Sequence, residues 1–536
     1  MVALLALSFH PAFYPPKSGG EQRLYHIYDN LSKKFDIMLI SFTYPNSEGK
    51  IEVVEHNERF KERRIPKTRA STIMHCIVER FSNIQECSAV ITSIESRFNN
   101  NFKSIVMDEV AKADIVVFVH PYLFTMPEEL LKGKKVVYES YNVEYDLMKQ
   151  SLSGSFIGDI LLKYVSQIEG SLARRSNLIF AVSEENKDTL ANTYSIKQDK
   201  IELSYNGINS EDYNDFAKEK KRGHRARCVF VGSFHPPNIE AIENIVKIAT
   251  HMPDTDFLVA GSAAQYYLNH ASDLLEQENS DIVLSRRDII INGLYNTELW
   301  DSTPTAWSKP GFRVLASERI ENIMLRLYSP LSQRIDVEFE TWTEPFNLAK
   351  GFNYLSIPLK VGEKKALSFK CEKIYADRER KLGIALQNLV YYKEGKEFSL
   401  DITQCIRPLY VFKEARNVLL LGQISDAEKQ ELYRISDLSL NPMASGSGTN
   451  IKMLDYMAAG LPVVTTHVGA RGLGLENYCH AVICDIHEFP EKIQEIIDNG
   501  ELYQRLKDNG CKLVKEKYDW RKIAEDMAET LEKNLL

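Results

Sequence analysis

The chain lacks any run of about 18 or more uncharged apolar residues, which excludes a conventional membrane-spanning helix. Its opening apolar stretch, Val2 to Phe9, is short, follows no basic segment and runs into a Pro- and Gly-containing loop. It reads as a buried first strand and not as a secretory signal. Cysteine is sparse and scattered, with eight thiols over 536 residues and no CxxC pair. That usage fits reduced, mostly buried thiols in a cytoplasmic compartment. Basic charge is not in excess either. The 66 Lys and Arg are outnumbered by 74 Asp and Glu, for a formal charge of −8, so no nucleic-acid partner is expected. No clustered Asp and His set resembles a cation site, and no metal is expected.

What is present is a globular composition, 44% apolar and 26% charged, in a chain too long for one core. Two or three domains follow. Residues 1–215 alternate apolar runs with helix-like segments: VALLALSF, then EQRLYHIYDNLSKKF, then DIMLISF, and later DIVVFVH, KKVVYES and NLIFAVS. Apolar strands separated by helices predict a parallel sheet covered on both faces. A second cycle starts at RCVFVGS (227–233), continues through DFLVAGS, and resumes at NVLLLGQ, LSLNPM and GLPVVTT. It assigns 216–279 and 416–516 to a second α/β domain, with a cleft between the two. The segment 280–415 breaks the rhythm. RIDVEFETW and LSFKCEKIY alternate with period two, which predicts an inserted β-rich, sandwich-like domain. The last helix, in 517–536, repeats Ile523, Met527 and Leu531 four apart and must bury that stripe, most simply against the N-terminal domain.

The most informative stretch is LSLNPMASGSGTNIKMLDYMAAGLPVVTTHVGARGLG, residues 438–474. A strand ends near Asn441, glycines bend the chain, and a helix covers roughly 450–459. Such a turn lets backbone N–H groups approach an anion. Lys452 adds a compact charge beside a diphosphate if it faces the cleft. Asp455, about a turn inside the helix, suits the two vicinal hydroxyls of a ribose. Each of these residues alone is an ordinary solvated one. Their meeting in one βα crossover, at the carboxyl end of a strand where such sheets bind ligands, carries the argument.

These residues resemble the donor motif of the retaining glycosyltransferase family 4, the group 1 type, in its GSGxxxK form: SGSGTNIK at 445–452, with the tail AAGLPVVTT. The resemblance implies a GT-B architecture, two Rossmann-like domains facing across a cleft, with a nucleoside-diphosphate sugar as donor and no cofactor or metal. It implies a donor site of Ser447, Gly448, Thr449, Asn450, Ile451, Lys452 and Asp455, with Asp455 in place of the family's ribose-holding glutamate. Ser447 stands where the family carries an acidic residue that contacts the transferred sugar. SGGEQR (18–23) resembles the glycine-rich first loop and brings Gly19 and Gly20 to the donor. FVGSFHPPNIEAI (230–242) resembles the start of the donor domain and brings Gly232 and Ser233. The Arg–Lys pair that commonly brackets the diphosphate is not evident after Gly232, and Lys452 is expected to replace part of that charge.

On the opposite wall, His120 follows the strand DIVVFV and faces the crevice, where the resemblance gives it a place against the reacting sugar. His10, Arg23, Glu139, Asn142 and Glu144 are the candidate acceptor-side residues. The expected reaction moves a sugar to a hydroxyl of a glycan or lipid-linked acceptor, in cell-surface polysaccharide synthesis, with retention. Peripheral association at the inner membrane face is compatible with this. The competing readings are a sugar-nucleotide epimerase of the same architecture and a non-catalytic glycan-binding protein that uses the insert, where Trp300, Trp307 and Trp342 would stack on sugars.

Overall fold

The computed structural model describes residues 2–16, 18–44, 50–82, 87–213, 225–278, 289–295, 298–300, 303–317, 319–339, 342–361, 365–377, 380–401, 409–446 and 449–536. Its first sheet has eight strands, in the order Glu52–Glu55, Phe60–Pro66, Asp36–Thr43, Ala3–Ser8, Ile115–Val119, Lys135–Ser140, Leu178–Ala181 and Ile201–Leu203. All neighbours are parallel except the first pair. Ile115–Val119 is buried at every position, because helices cover both faces and leave no solvated side to alternate towards. One face packs under helices Asn100–Lys112 and Phe156–Arg175. The other packs under Gly19–Leu31 and the final helix, Trp520–Leu535.

That final helix buries Trp520, Ile523, Met527 and Leu531 beside Leu24, Ile27 and Leu31, so its apolar stripe is spent on the N-terminal domain. The two places where the chain passes between domains are bonded to each other. Ile208 donates its N–H to the Tyr518 carbonyl (2.9 Å), and Trp520 donates to the carbonyl of Ile208 (3.0 Å). Gly207 permits this, since a Cβ there would lie 2.6 Å from the Tyr518 carbonyl oxygen.

The second sheet runs Leu275–Glu278, Leu409–Phe412, Ala415–Gly422, Thr255–Ala260, Ala226–Val231, Leu438–Asn441, Val463–Thr465 and Val482–Ile483. Leu409–Phe412 lies within the segment 280–415 expected to belong to the insert, yet it is a strand of this sheet. It pairs antiparallel with both Leu275–Glu278 and Ala415–Gly422. It resembles the insert's strands in being antiparallel to both neighbours, whereas every pairing from Ala415–Gly422 onward is parallel.

Among the described residues the insert is a ten-stranded antiparallel sheet that folds over on itself, the β-rich domain that the period-two segments predict. The long strand Thr303–Ala316 belongs to both halves. Ala306 and Trp307 pair with Leu386 and Ala385, whereas Gly311 to Ala316 pair with Lys370 to Lys365. Pro310 lies at the switch and removes a ladder N–H. Nearby, the register against Ile289–Leu294 shifts across Gly293, whose φ is 87°. Ile291, Val314, Leu325, Ile335, Phe369 and Leu386 fill the space between the halves. Trp307 lies edge-on to Tyr328; the side chains of Trp300 and Trp342 are outside the described ones.

A buried ion pair joins the first sheet to its helix and to the linker. Arg23 Nε donates to Glu139 Oε1 (3.1 Å), and its other nitrogens donate to the carbonyls of Ser204 (2.9 Å) and Tyr205 (2.6 Å) and to Ser204 Oγ (2.8 Å). Both side chains are fully buried. Arg23→Met strands the Glu139 carboxylate, at a cost of about 3–5 kcal/mol. Scanning calorimetry is expected to show a lowered unfolding transition for the N-terminal domain; an unmoved transition would contradict the importance of the pair.

Candidate functional site

His120 follows the strand Ile115–Val119 with φ at +66°, a region that non-glycine residues rarely occupy. The surroundings hold it there. Its N–H donates to the Glu139 carbonyl (3.1 Å), and its Nδ1 lies 3.0 Å from Glu144 Oε1. Glu144 also accepts from Tyr122 Oη (2.6 Å) and is buried. The carboxylate partner holds the ring through Nδ1 and turns Nε2 away from Glu144. Phe9 and Tyr141 pack on the imidazole, with ring centroids at 5.1 and 4.3 Å.

Glu169 forms a further layer. It accepts from the N–H groups of Glu144 and Tyr145 (both 2.9 Å), from Tyr138 Oη (2.8 Å) and from Tyr194 Oη (2.7 Å). Burial, and then the charge of Glu144, push its carboxyl up to about 7.

His10 lies 6.1 Å from His120, ring to ring. Its Nδ1 donates to the Pro11 carbonyl (3.2 Å). Burial, and then the neighbouring His120, push its pKa down to about 4, so the ring is neutral near pH 7. Its Nε2 is 3.9 Å from where a Cβ would stand at Gly20. Arg23 and Glu139 do not share this surface. They are spent on each other and on the linker, which corrects their expected acceptor-side role. Glu144 is likewise buried and holds His120. Asn142 is half-buried and does reach the cleft.

On the second domain, the helix after the glycine-rich turn covers Lys452–Ala458. Ser447 and Gly448 lie outside the described residues. Asn450 Nδ2 donates to the Gly469 carbonyl (3.2 Å). The Ile451 side chain is 3.7 Å from the Cβ position of Gly19, so the two domains approach each other here. The Lys452 ammonium donates to Asn238 Oδ1 (2.5 Å), lies 4.4 Å from the Phe230 ring centroid and is 4.0 Å from Met443 Sδ. All three partners are neutral. Burial alone pushes its pKa down to about 7 from the usual 10.5. Asn238 also donates to the Ser233 carbonyl (2.8 Å), which ties the Gly232–Ser233 turn to the lysine.

Asp455 accepts from Tyr213 Oη (2.8 Å) and has Lys429 Nζ at 3.5 Å from its other oxygen. Both of its oxygens are thus partnered within the second domain. Sequence reasoning missed Asn238, Phe230, Tyr213, Lys429 and Arg471. Asn238 stood in the quoted HPPNIE and Arg471 in GARGLG, but neither carried a spacing that points to Lys452 or to the cleft. Arg471 Nη2 donates to the Gly446 carbonyl (2.6 Å), and its Nε faces Glu185 of the first domain at 3.8 Å.

A cavity of about 290 Å3 lies between the domains, bounded by Tyr141, Asn142, Ser183, Asn186, Thr449 and Arg471 among others. A larger one, about 690 Å3, is lined only by second-domain residues, including Met443, His467 and His487, and lacks the facing wall that a two-domain reaction needs. Glu476, Cys479 and His480 form the described group closest to a metal-ligand set, within 4.8 Å. There the Glu476 N–H donates to His480 Nδ1 (3.2 Å), which leaves the proton on Nε2 and no lone pair towards the thiol.

The folded protein holds Lys452 near 7 and the unfolded chain near its ordinary value, so unfolding takes up a proton between those limits. This group's contribution to stability therefore rises with pH from about 7 to 10.5, and its penalty is complete below 7. Lys452→Met is expected to raise the thermal midpoint of the ligand-free protein, more at acidic than at alkaline pH. A lowered midpoint at acidic pH would disprove the penalty.

The family model described as "Glycosyl transferases group 1" matches residues 400–499. An uncharacterised 44.6 kDa protein in the cps region of Klebsiella pneumoniae is 30% identical over 156 residues, 26% of this chain and 40% of that one. Among solved structures, sucrose-phosphate synthase from Thermosynechococcus elongatus superposes with a TM-score of 0.53 at 10% identity, covering 99% of this chain and 98% of that one. Anabaena HepE in complex with UDP gives 0.52 at 10% identity, covering 99% and 100%. An α,α-trehalose-phosphate synthase (UDP-forming) from Burkholderia vietnamiensis gives 0.52 at 9% identity, covering 100% and 98%. The chain therefore has the GT-B fold, with a β-rich domain inserted in its second half.

Proposed function

We propose that this chain is a glycosyltransferase that moves a sugar from a nucleoside-diphosphate sugar to a hydroxyl of a glycan or lipid-linked acceptor, with retention, in cell-surface polysaccharide synthesis at the cytoplasmic side. The observation that carries the reading is Lys452: a half-buried amine whose described partners are all neutral, at the turn where residues 449–452 meet the first domain. A diphosphate supplies the missing counter-charge. The UDP-bound HepE structure and the UDP-forming synthase support such a donor on this fold.

In this reading the donor diphosphate rests on the turn 449–452 beside Lys452, and Asp455 accepts the ribose hydroxyls. Ser447, Gly448, Gly19, Gly20, Gly232 and Ser233 remain the proposed neighbours of the donor. The bond from the anomeric carbon to the diphosphate oxygen breaks as the acceptor oxygen bonds to that carbon. The acceptor proton leaves on the diphosphate. His120 Nε2, and His10 behind it, accept hydrogen bonds from sugar hydroxyls and orient the ring. The main catalytic task is to stabilise charge on the departing diphosphate, where one preorganised donor is worth about 3 kcal/mol. No helix among the described residues is long and apolar enough to cross a membrane, and the proposed membrane contact is peripheral.

Thermal-shift titration with UDP-, GDP- and dTDP-sugars is expected to raise the midpoint for one base, and Lys452→Met is expected to abolish that rise. A rise that survives the substitution would remove Lys452 from the donor site. Because the diphosphate favours the charged amine, donor binding near pH 7–8 takes up a proton and weakens as pH climbs. Calorimetry in buffers of different ionisation enthalpy reads that uptake, and a buffer-independent heat would contradict it. His120→Asn, which tolerates the positive φ, is expected to keep the donor shift and slow transfer by about a hundredfold. Unslowed transfer would sink the role of His120.

A further inference from the structure

The cavity between the domains has a lining whose chemistry is more specific than its location. It opens on Thr449, which adjoins the donor turn, and on Tyr141, whose ring packs against His120. Its other walls come from helices Glu144–Leu152 and Glu184–Tyr194. Two half-buried side-chain amides, Asn142 and Asn186, line it and make no side-chain hydrogen bond among the described residues. Arg471 Nε is buried there without a hydrogen-bond partner. Its nearest carboxylate, Glu185, is 3.8 Å away and 64% exposed, an ion pair too long and too wet to hold the domains together. The two amides are thus present and unspent, and Arg471 keeps its Nε free of a hydrogen bond.

Their charges also discriminate. The ionisable lining residues are Asp146, Glu185 and Arg471, so carboxylates outnumber the cation, and Arg471 is already bonded to the Gly446 carbonyl. A phosphate or carboxylate on a ligand would meet two acidic side chains. Amides, by contrast, donate and accept at once, which matches hydroxyls that do both. Leu147 and Val182 supply apolar wall for the C–H face of a ring. The volume, about 290 Å3, falls at the lower edge of the roughly 300–1,000 Å3 common for small-molecule sites, enough for one ring and not for a lipid chain.

We propose that this cavity is the acceptor subsite and that it takes an uncharged sugar ring, the terminal unit of the acceptor glycan. The inference rests on the donor reading above and deepens it. The ring's hydroxyl oxygen forms the new bond to the anomeric carbon as the diphosphate leaves with the hydroxyl proton. A phosphosugar or a lipid diphosphate is not the group that enters the cavity, even where the glycan is attached to one farther along.

Saturation-transfer NMR on the full chain tests this, with methyl glycosides of glucose, galactose, mannose, rhamnose and N-acetylglucosamine beside glucose 1-phosphate and glucose 6-phosphate, in the presence of UDP and GDP. Transfer to at least one methyl glycoside is expected, and Asn142→Ala combined with Asn186→Ala is expected to reduce it at least tenfold. Neither amide supports the fold, so the variant's thermal midpoint should match the parent's. Transfer to the phosphosugars instead, no transfer to any glycoside, or transfer indifferent to the two substitutions would each overturn the proposal. The nucleotide thermal shift on the same wild-type sample reports separately on the donor reading. Glycoside binding without it would leave a sugar site that is not an acceptor site, and would overturn the proposal through its premise.

Discussion

A half-buried lysine whose described partners are all neutral organises the second domain's side of the cleft. Lys452 reaches Asn238, Phe230 and Met443, and none of them neutralises it. A chain gains nothing in stability from such a group, because desolvation penalises the ammonium and a neutral amide returns only part of the loss. The arrangement makes physical sense as a site that is completed by an anion. The glycine-rich turn, the tie from Asn238 to Ser233 and the approach of Gly19 to Ile451 then read as parts of one surface built around an absent negative charge.

The first domain's side is built in the opposite sense, with too many partners and little freedom. His120 holds a backbone conformation that its own side chain disfavours. It persists because Glu139 takes its N–H, Glu144 takes its Nδ1 and Glu169 takes the amides of the helix that begins with Glu144. One backbone carbonyl and one buried carboxylate, itself backed by a second, leave the imidazole little rotation. In the proposed reading this is a division of labour, orientation on one wall and charge on the other.

Much of this was legible in the sequence, for a definite reason. Apolar runs such as DIVVFV and NVLLLG announce strands covered on both sides. The crossover at 438–466 compresses strand, turn and helix into one contiguous stretch. What escaped was direction and distance. Glu139 and Arg23 sit beside the crevice in sequence, but the pleat turns Glu139 inward, where it meets Arg23 on helix Gly19–Leu31. Asn238 and Lys452 are separated by 214 residues and Arg471 faces Glu185 from another domain, so no local spacing could join them. The strand Leu409–Phe412 was assigned to the insert because local sequence pattern does not report which sheet a strand joins.

That strand and its partner Leu275–Glu278 explain how a domain of this size sits inside the second half without disturbing the site. The chain leaves along Leu275–Glu278 and returns along Leu409–Phe412, paired residue by residue from Leu275 with Phe412 to Glu278 with Leu409. Exit and return therefore lie side by side, and closing the insert asks nothing of the sheet beyond two more antiparallel strands. In sheet order they stand at one edge, with Ala415–Gly422 and Thr255–Ala260 between them and the strands Ala226–Val231 and Leu438–Asn441, whose carboxyl ends lead to Gly232 and the glycine-rich turn. The parallel strands that position Lys452 keep their neighbours and their register, so the insert changes what the second domain presents at its edge while the cleft's own geometry is set by strands it does not touch.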